Sequence, residues 1–216
     1  GLSDPAAPVR AAAVRALAQV DPKGSESALQ LVRLLGDSDS SVAEQAAQAL
    51  VRMRPVGLWA LATGLLEPEP AIRGRAEQTL SSLDSRAALA ELLGALEAAD
   101  NARDRQALLL AIGKLKGDTS AAAPFLVRWA RSGDEAVRVA AVQTLVRMNL
   151  PEVSLVAALL QDPDAGVRRT AARALYRMAL LQALLVAPVV DELRPALGDQ
   201  DPFVRVDAAG AVWLVQ

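Results

Sequence analysis

From Asp162 to Leu175 the chain reads DPDAGVRRTAARAL. Acidic residues and Pro crowd its first positions. There the free N–H groups of a first helical turn need acceptors, and a missing N–H costs nothing. Behind them Val167, Ala171, Ala174 and Leu175 fall on one stripe at helical period. The segment predicts an amphipathic helix behind a tight acidic turn.

The pattern recurs along the sequence. It reads DPAAPVRAAAVRAL from Asp4, DSDSSVAEQAAQAL from Asp37 and EPEPAIRGRAEQTL from Glu67. It returns as DEAVRVAAVQTL from Asp134 and DPFVRVDAAGAV from Asp201, with a weaker copy from Asp104 to Ile112. The anchors are Val9, Val42, Ile72, Asp104, Val137, Val167 and Val204, spaced 33, 30, 32, 33, 30 and 37 residues apart. Such a period belongs to stacked helical hairpins. In the first copy the stripe is Val9, Ala13, Ala16 and Leu17.

Six further amphipathic stretches lie between these helices: 25–35, 56–66, 87–96, 121–131, 151–160 and 188–197. They predict the first helix of each hairpin, with the recurrent copies as second helices. Gly36, Gly133 and Gly198 follow apolar runs and suit a left-handed residue past a helix end. The long last spacing predicts an extended helix or an inserted turn over 179–187. The expected architecture is all-α, an α-solenoid of about six to seven repeats in one domain over residues 1–216. It opens on a second helix without a partner, either as an end cap or as part of a longer array.

Composition agrees and excludes several chemistries. The 216 residues are 52% hydrophobic but only 3% aromatic, the apolar weight resting on Ala, Leu and Val, which favours helices that approach closely. With no His and no Cys, His-based triads, His-bound metals, thiol nucleophiles and disulfides are closed. A formal net charge of −2 argues against coating nucleic acid or anionic membranes by bulk charge. The longest apolar stretch, Met178 to Val190, is broken by Gln182 and Pro188 and falls short of the roughly 20 residues a bilayer needs. No charged-then-apolar leader opens the sequence.

These anchors, turn acids and spacings resemble the HEAT-repeat family, in particular the short HEAT-like repeats of phycobilisome-lyase-type proteins. The resemblance covers nearly the whole chain except the fourth copy, where Asp104 replaces an aliphatic anchor, and the stretch 179–187. It implies a solenoid whose second helices line a concave surface that grips another macromolecule. A fold of this breadth specifies architecture better than activity.

Arg follows the anchor in six copies, as Arg10, Arg73, Arg105, Arg138, Arg168 and Arg205. HEAT-like repeats commonly show Asp–Arg rows, so these are expected to pair with turn acids and cover apolar surface with their stems. The acid pairs Asp37/Asp39, Glu67/Glu69, Asp162/Asp164 and Asp199/Asp201 read as helix caps rather than cation sites, which need six or more oxygen ligands for Ca²⁺.

The polar face of the second helices is the candidate binding surface. Positions two, six and ten past the anchors place Arg15, Gln48, Arg52, Gln78, Lys114, Gln143, Arg147, Arg169, Arg173 and Arg177 there. Seven cations on that face stand against one acid, Glu44, an asymmetry able to steer an acidic partner. The aromatics Trp59 and Trp129 fall on first helices, as packing residues. Trp213, with Val206 and Leu214, marks an apolar edge for a further repeat or a partner.

The leading expectation is therefore a non-enzymatic scaffold that binds an acidic or extended protein or peptide on the concave face. Self-association through exposed repeat ends is a further expectation. An alternative is nucleic-acid binding, as in HEAT-like DNA-alkylation-repair proteins, although only Tyr176 beside Arg173 and Arg177 approaches a basic-aromatic arrangement. A third reading is a bilin-lyase-like enzyme. The iron-dependent HEAT-like hydroxylases are closed by the absence of His. No Gly-rich phosphate loop, Gly-x-Ser-x-Gly motif, cofactor motif or metal motif is present.

Overall fold

The computed structural model describes residues 1–150 and 152–216, so the stretch predicted from Pro151 begins outside the described residues. Every regular element among the described residues is helical. Two compact units form, Gly1–Thr119 and Ser120–Gln216.

In the first unit the recurrent copies are α1 (Ala7–Val20), α3 (Ser40–Arg52), α5 (Pro70–Ser81) and α7 (Ala102–Ile112). The helices between them are α2 (Ser25–Arg33), α4 (Val56–Gly64) and α6 (Ser85–Ala98). In the second unit α8 (Ala123–Trp129), α10 (Val153–Ala158) and α13 (Val190–Ala196) alternate with α9 (Glu135–Arg147), α11 (Ala165–Leu181) and α14 (Pro202–Val215). The stretch 179–187 satisfies both halves of its expectation. The helix α11 runs on to Leu181, and a short turn of helix, α12 (Ala183–Val186), follows.

The helix starts follow from the turn acids. The carboxylate of Asp39 accepts from the N–H groups of Ser41 and Val42, and those of Asp134 and Asp164 accept from Val137 and Val167. Asp201 accepts from Phe203. Pro70 and Pro202 open their helices, where no N–H is needed. Two expectations fail here. Glu69 makes no side-chain cap, and Glu67 instead pairs with Arg103 at 3.7 Å. In the fourth copy Asp104 works as a capping residue rather than an anchor. Its N–H donates to Asn101 at 2.8 Å while its carboxylate accepts from the Asn101 amide at 3.1 Å.

The glycines expected in left-handed conformation are not there. Positive φ occurs at Gly117 and Asn149. The helices before Gly36, Gly133 and Gly198 finish in tight i→i+3 turns, such as the 3₁₀ segment Leu34–Gly36 and the bond from the Gly198 N–H to the Pro195 carbonyl. Those bonds satisfy the last carbonyls without a left-handed residue.

The anchors Val42, Ile72, Val137, Val167 and Val204 are buried, and so are Ala171, Ala174 and Leu175 of the sixth copy. The first copy departs from its predicted stripe. Val9 is 44% exposed and Ala16 is exposed, whereas Ala11 and Val14 are buried. The reason is what packs there: α1 lies mainly against α3, which covers Ala11 and Val14, and no helix of the described chain covers the Val9 stripe.

Three members of the Arg row, Arg10, Arg138 and Arg168, join neighbouring repeats, whereas Arg73 and Arg205 depart from the expected acid pairing and donate to the carbonyls of their own turns. Arg168 sends Nη1 to the carbonyls of Asp162 and Pro163 at 2.9 and 3.1 Å. Its Nε and Nη2 go to the Asp199 carboxylate of the next turn at 2.7 and 3.2 Å. Arg10 repeats this with Asp4, Pro5 and Asp37, and Arg138 with Ser132, Gly133 and Asp162. Asp37, Asp162 and Asp199 each accept the N–H two residues on, so one carboxylate shapes the turn and receives the preceding repeat. These Arg side chains are structural.

Candidate interaction groove

The site is set by α4, whose sequence VGLWALATG is apolar almost throughout. Gly57 faces the Leu50 carbonyl of α3 so closely that a Cβ there would lie 1.8 Å from its oxygen. Gly64 approaches Ala76 of α5, with a Cβ-to-Cβ separation of 3.2 Å for any added methyl. Thus α3 and α5 each pack more extensively on α4 than on each other. The gap left between them is a groove of about 580 Å³.

Gln48, Arg52 and Gln78, three of the predicted residues, line this groove together with Glu44, Arg75 and Thr79. The Gln48 amide donates to Glu44 at 3.0 Å, and Arg75 reaches the other Glu44 oxygen at 3.4 Å. The hydroxyls of Thr79 and Ser82 are spent on carbonyls of their own helix. Arg52 and Gln78 are exposed and have no hydrogen-bond or ion-pair partner among the described residues. The groove therefore presents a free guanidinium and a free amide above an apolar floor of Ala47, Val51 and Leu83. Sequence periodicity missed Arg75, which lies three past its anchor, outside the positions counted.

The other predicted residues are dispersed. Arg15 is exposed and donates to Gln45 of the next repeat. Lys114 is ion-paired to Glu77 at 2.7 Å. In the second unit Gln143, Arg147 and Arg177 are exposed. Arg169 binds the Asp201 carboxylate, and its guanidinium carbon lies 4.9 Å from the centre of the Phe203 ring. That hydrogen bond, with the helix-capping bonds, holds the Asp201 carboxyl below the usual carboxylate range. Arg173 lies 3.5 Å from the buried Asp207. The positive row is thus weaker than its composition implied, because Glu77, Asp201 and Asp207 of facing helices neutralise three of its cations. Tyr176, the candidate stacking ring, is turned onto Gly210, where a Cβ would sit 2.7 Å from its Cε2.

No group of His, Cys, Asp or Glu able to hold a metal ion occurs among the described residues, and no described helix is long and apolar enough to cross a membrane.

Comparison with known proteins agrees with this architecture. The fold is similar to that of a computationally designed armadillo repeat protein for modular peptide recognition, with TM-score 0.53, 17% identity, and 95% of this chain and 92% of that one covered. It is similar to YibA of Escherichia coli, with TM-score 0.52, 19% identity, and 90% of this chain and 72% of that one covered. The CpcE–CpcF complex of phycocyanin lyase from Nostoc sp. PCC7120 aligns over 100% of this chain and 92% of that one at 20% identity, with TM-score 0.36. No curated protein sequence matches the chain. The fold is an all-α repeat solenoid, an architecture typical of protein-interaction scaffolds and generally without catalysis of its own. A sequence model of HEAT repeats matches residues 1–81 and 123–187, more than half of the chain, and the protein belongs to the HEAT-repeat family.

Proposed function

We propose that the protein is a non-enzymatic scaffold that binds an extended, acidic segment of a partner protein along its second-helix face, with the α3–α5 groove as the principal contact. The observation that carries this reading is the pairing of an unengaged guanidinium, Arg52, with an unengaged amide, Gln78, across an apolar-floored groove. An extended peptide offers such a groove backbone carbonyls and N–H groups for Gln48 and Gln78, and an acidic side chain for Arg52. Arg15 and Lys114 of the first unit, and Gln143, Arg147, Arg169, Arg173 and Arg177 of the second, serve as secondary contacts, each set on the second helices of its own unit. The similar designed armadillo fold, described as built for modular peptide recognition, supports the kind of partner.

The test is fluorescence anisotropy with labelled acidic, neutral and basic peptides, together with NMR shift mapping on the intact chain. Acidic peptides are expected to bind and to perturb Gln48, Arg52 and Gln78. Arg52→Glu should weaken that binding by about tenfold or more, the scale of a lost charge-assisted contact, with unchanged helicity. Equal affinity for all three peptide classes, or perturbations confined to other faces, would overturn the proposal.

A further inference from the structure

At three steps of the repeat an Arg ties one second helix to the turn of the next: Arg10 to Asp37, Arg138 to Asp162 and Arg168 to Asp199, at 2.7, 2.8 and 2.7 Å. At each of them the two second helices also lie in extensive contact, α1 on α3, α9 on α11 and α11 on α14. The step from α3 to α5 has no such tie. The position one past the anchor, Arg in the other six copies, is Ala43, buried and without a donor. The turn acid that would receive it, Glu67, pairs with Arg103 at 3.7 Å. The step from α5 to α7 lacks the acceptor instead. Arg73 donates to the carbonyls of Glu67 and Pro68, and Ala99 stands five before the anchor, where Asp37, Asp162 and Asp199 stand in the tied copies. There α7 packs on α4 and α6. The second-helix face therefore opens where the tie is missing, and the α3–α5 groove stands at such a step.

Across that groove the helices are bridged by Glu44, the one acid among its lining residues. One carboxylate oxygen accepts from the Gln48 amide at 3.0 Å and the other from Arg75 of the facing helix at 3.4 Å. The Glu44 side chain is 53% exposed, so solvent screens the pair and holds it weakly. The groove thus has unlike ends. At one end Glu44 offsets the charge of Arg75. At the other stands Arg52, exposed and without a partner among the described residues.

Glu44 and Arg52 are eight residues apart on α3, which is about 12 Å along a helix. An extended chain advances about 3.3 Å per residue, and alternate side chains point the same way. Side chains four residues apart on an extended segment therefore reach both ends of the groove together.

We infer that Glu44 sets the charge pattern this groove accepts: an extended segment with one acidic side chain, over Arg52, and an uncharged side chain four residues away, over Glu44. A second acid at that place meets the Glu44 carboxylate and must displace it to reach Arg75. Glu44 is in this sense a specificity-determining residue, and its role rests on the peptide reading of the groove.

End-capped, labelled pentapeptides of otherwise neutral sequence test this by fluorescence anisotropy on the intact chain. They carry Glu at the first position, at the last, at both or at neither. The two single-acid peptides cover both directions of binding, and five residues are too few to hold two acids clear of Glu44 while filling the groove. The wild type is expected to bind the better single-acid peptide about fivefold more tightly than the doubly acidic one, the scale of an exposed charge pair, with the difference shrinking in salt. Glu44→Gln, a change between residues of similar helix propensity, should reverse the order, because Arg75 is then open to the second acid. Arg75→Gln leaves Glu44 uncompensated and should widen the wild-type preference. If the acidic peptides bind and Glu44→Gln leaves their order unchanged, the role of Glu44 is overturned while the groove reading stands. If no acidic peptide binds better than the neutral one, both are overturned.

Discussion

Arg10 and Asp37, 27 residues apart, are joined by two parallel hydrogen bonds, Nε to Oδ2 at 2.8 Å and Nη2 to Oδ1 at 2.7 Å. The fork leaves both side chains mostly covered, at 12% and 6% exposure. Its guanidinium holds the Asp37 carboxyl below its usual range, and Arg168 does the same to Asp199. The stem of each Arg lies over the turn whose carbonyls it also binds. One residue therefore ties a helix, its own entry turn and the next repeat.

A consequence appears in acid. A carboxyl with a depressed folded pKa contributes stability that is complete above its unfolded value, about 3.9, and lost as pH falls through the folded value. Stability is expected to hold above about pH 5 as far as these groups are concerned, and to fall below about pH 4. Urea unfolding of the wild type and of Arg10→Met/Arg168→Met at pH 7 and pH 3 checks this. The difference between the two pH values should shrink in the double variant, and an equal difference would show that the forks do not carry the acid sensitivity.

The contact of Gly57 with Leu50 predicts a severe effect from one methyl group. Backbone opposes backbone there, so α4 must move away from α3 to admit a side chain. Gly57→Ala is expected to cost about 3 kcal/mol, the upper range for overpacking. It should also perturb the α3–α5 groove, since α4 seats both helices. By contrast Gly74, with nothing within 4 Å of an added Cβ, should accept Ala with equal or higher stability. Denaturant midpoints of the two variants separate the cases.

Much of this was legible in the sequence because it is local. The caps of Asp39, Asp134, Asp164 and Asp201 involve partners two or three residues away, and the stripe of Val167, Ala171, Ala174 and Leu175 needs only helical period. The neutralisation of Lys114, Arg169 and Arg173 was not legible. Their acids lie 32 to 37 residues away along the chain and off the positions counted, so the offset between neighbouring helices decides the pairing. Two, six and ten past each anchor describe a face of one helix, and a groove is made by two. Likewise the exposure of Val9 reflects what packs on α1, which no pattern within α1 encodes.

Asp162 combines a turn and a fork in one buried side chain. Its Oδ1 accepts from the Asp164 N–H at 2.9 Å and from Arg138 Nη2 at 2.8 Å. Asp162→Ala removes both and leaves Arg138 covered with only its carbonyl partners. A loss of about 3 kcal/mol is expected, against about 1 kcal/mol for Asp164→Ala, which removes a helix cap alone. Thermal or urea unfolding of the two variants gives the ranking, and a reversed order would refute the dual role.

Asp207 is the reverse case, a carboxylate whose burial is poorly compensated. It is 7% exposed, and its Oδ2 accepts no hydrogen bond among the described residues. Its counter-ion Arg173 stands 3.5 Å away with a side chain 67% exposed, where solvent screens the pair. Burying a charge without full hydrogen bonding is unfavourable, and an apolar replacement of such a group is often neutral or stabilising. The equivalent position, three past the anchor, holds Ala in α7 and α9, as Ala107 and Ala140, both buried. Asp207→Ala is therefore expected to raise stability by about 1 kcal/mol and to leave Arg173 free on the polar face. That freed cation should strengthen binding of acidic peptides to the second unit while Arg173→Ala weakens it. Urea unfolding and peptide titration of the same two variants read both effects, and a destabilised Asp207→Ala would mean that the carboxylate organises the α11–α14 contact.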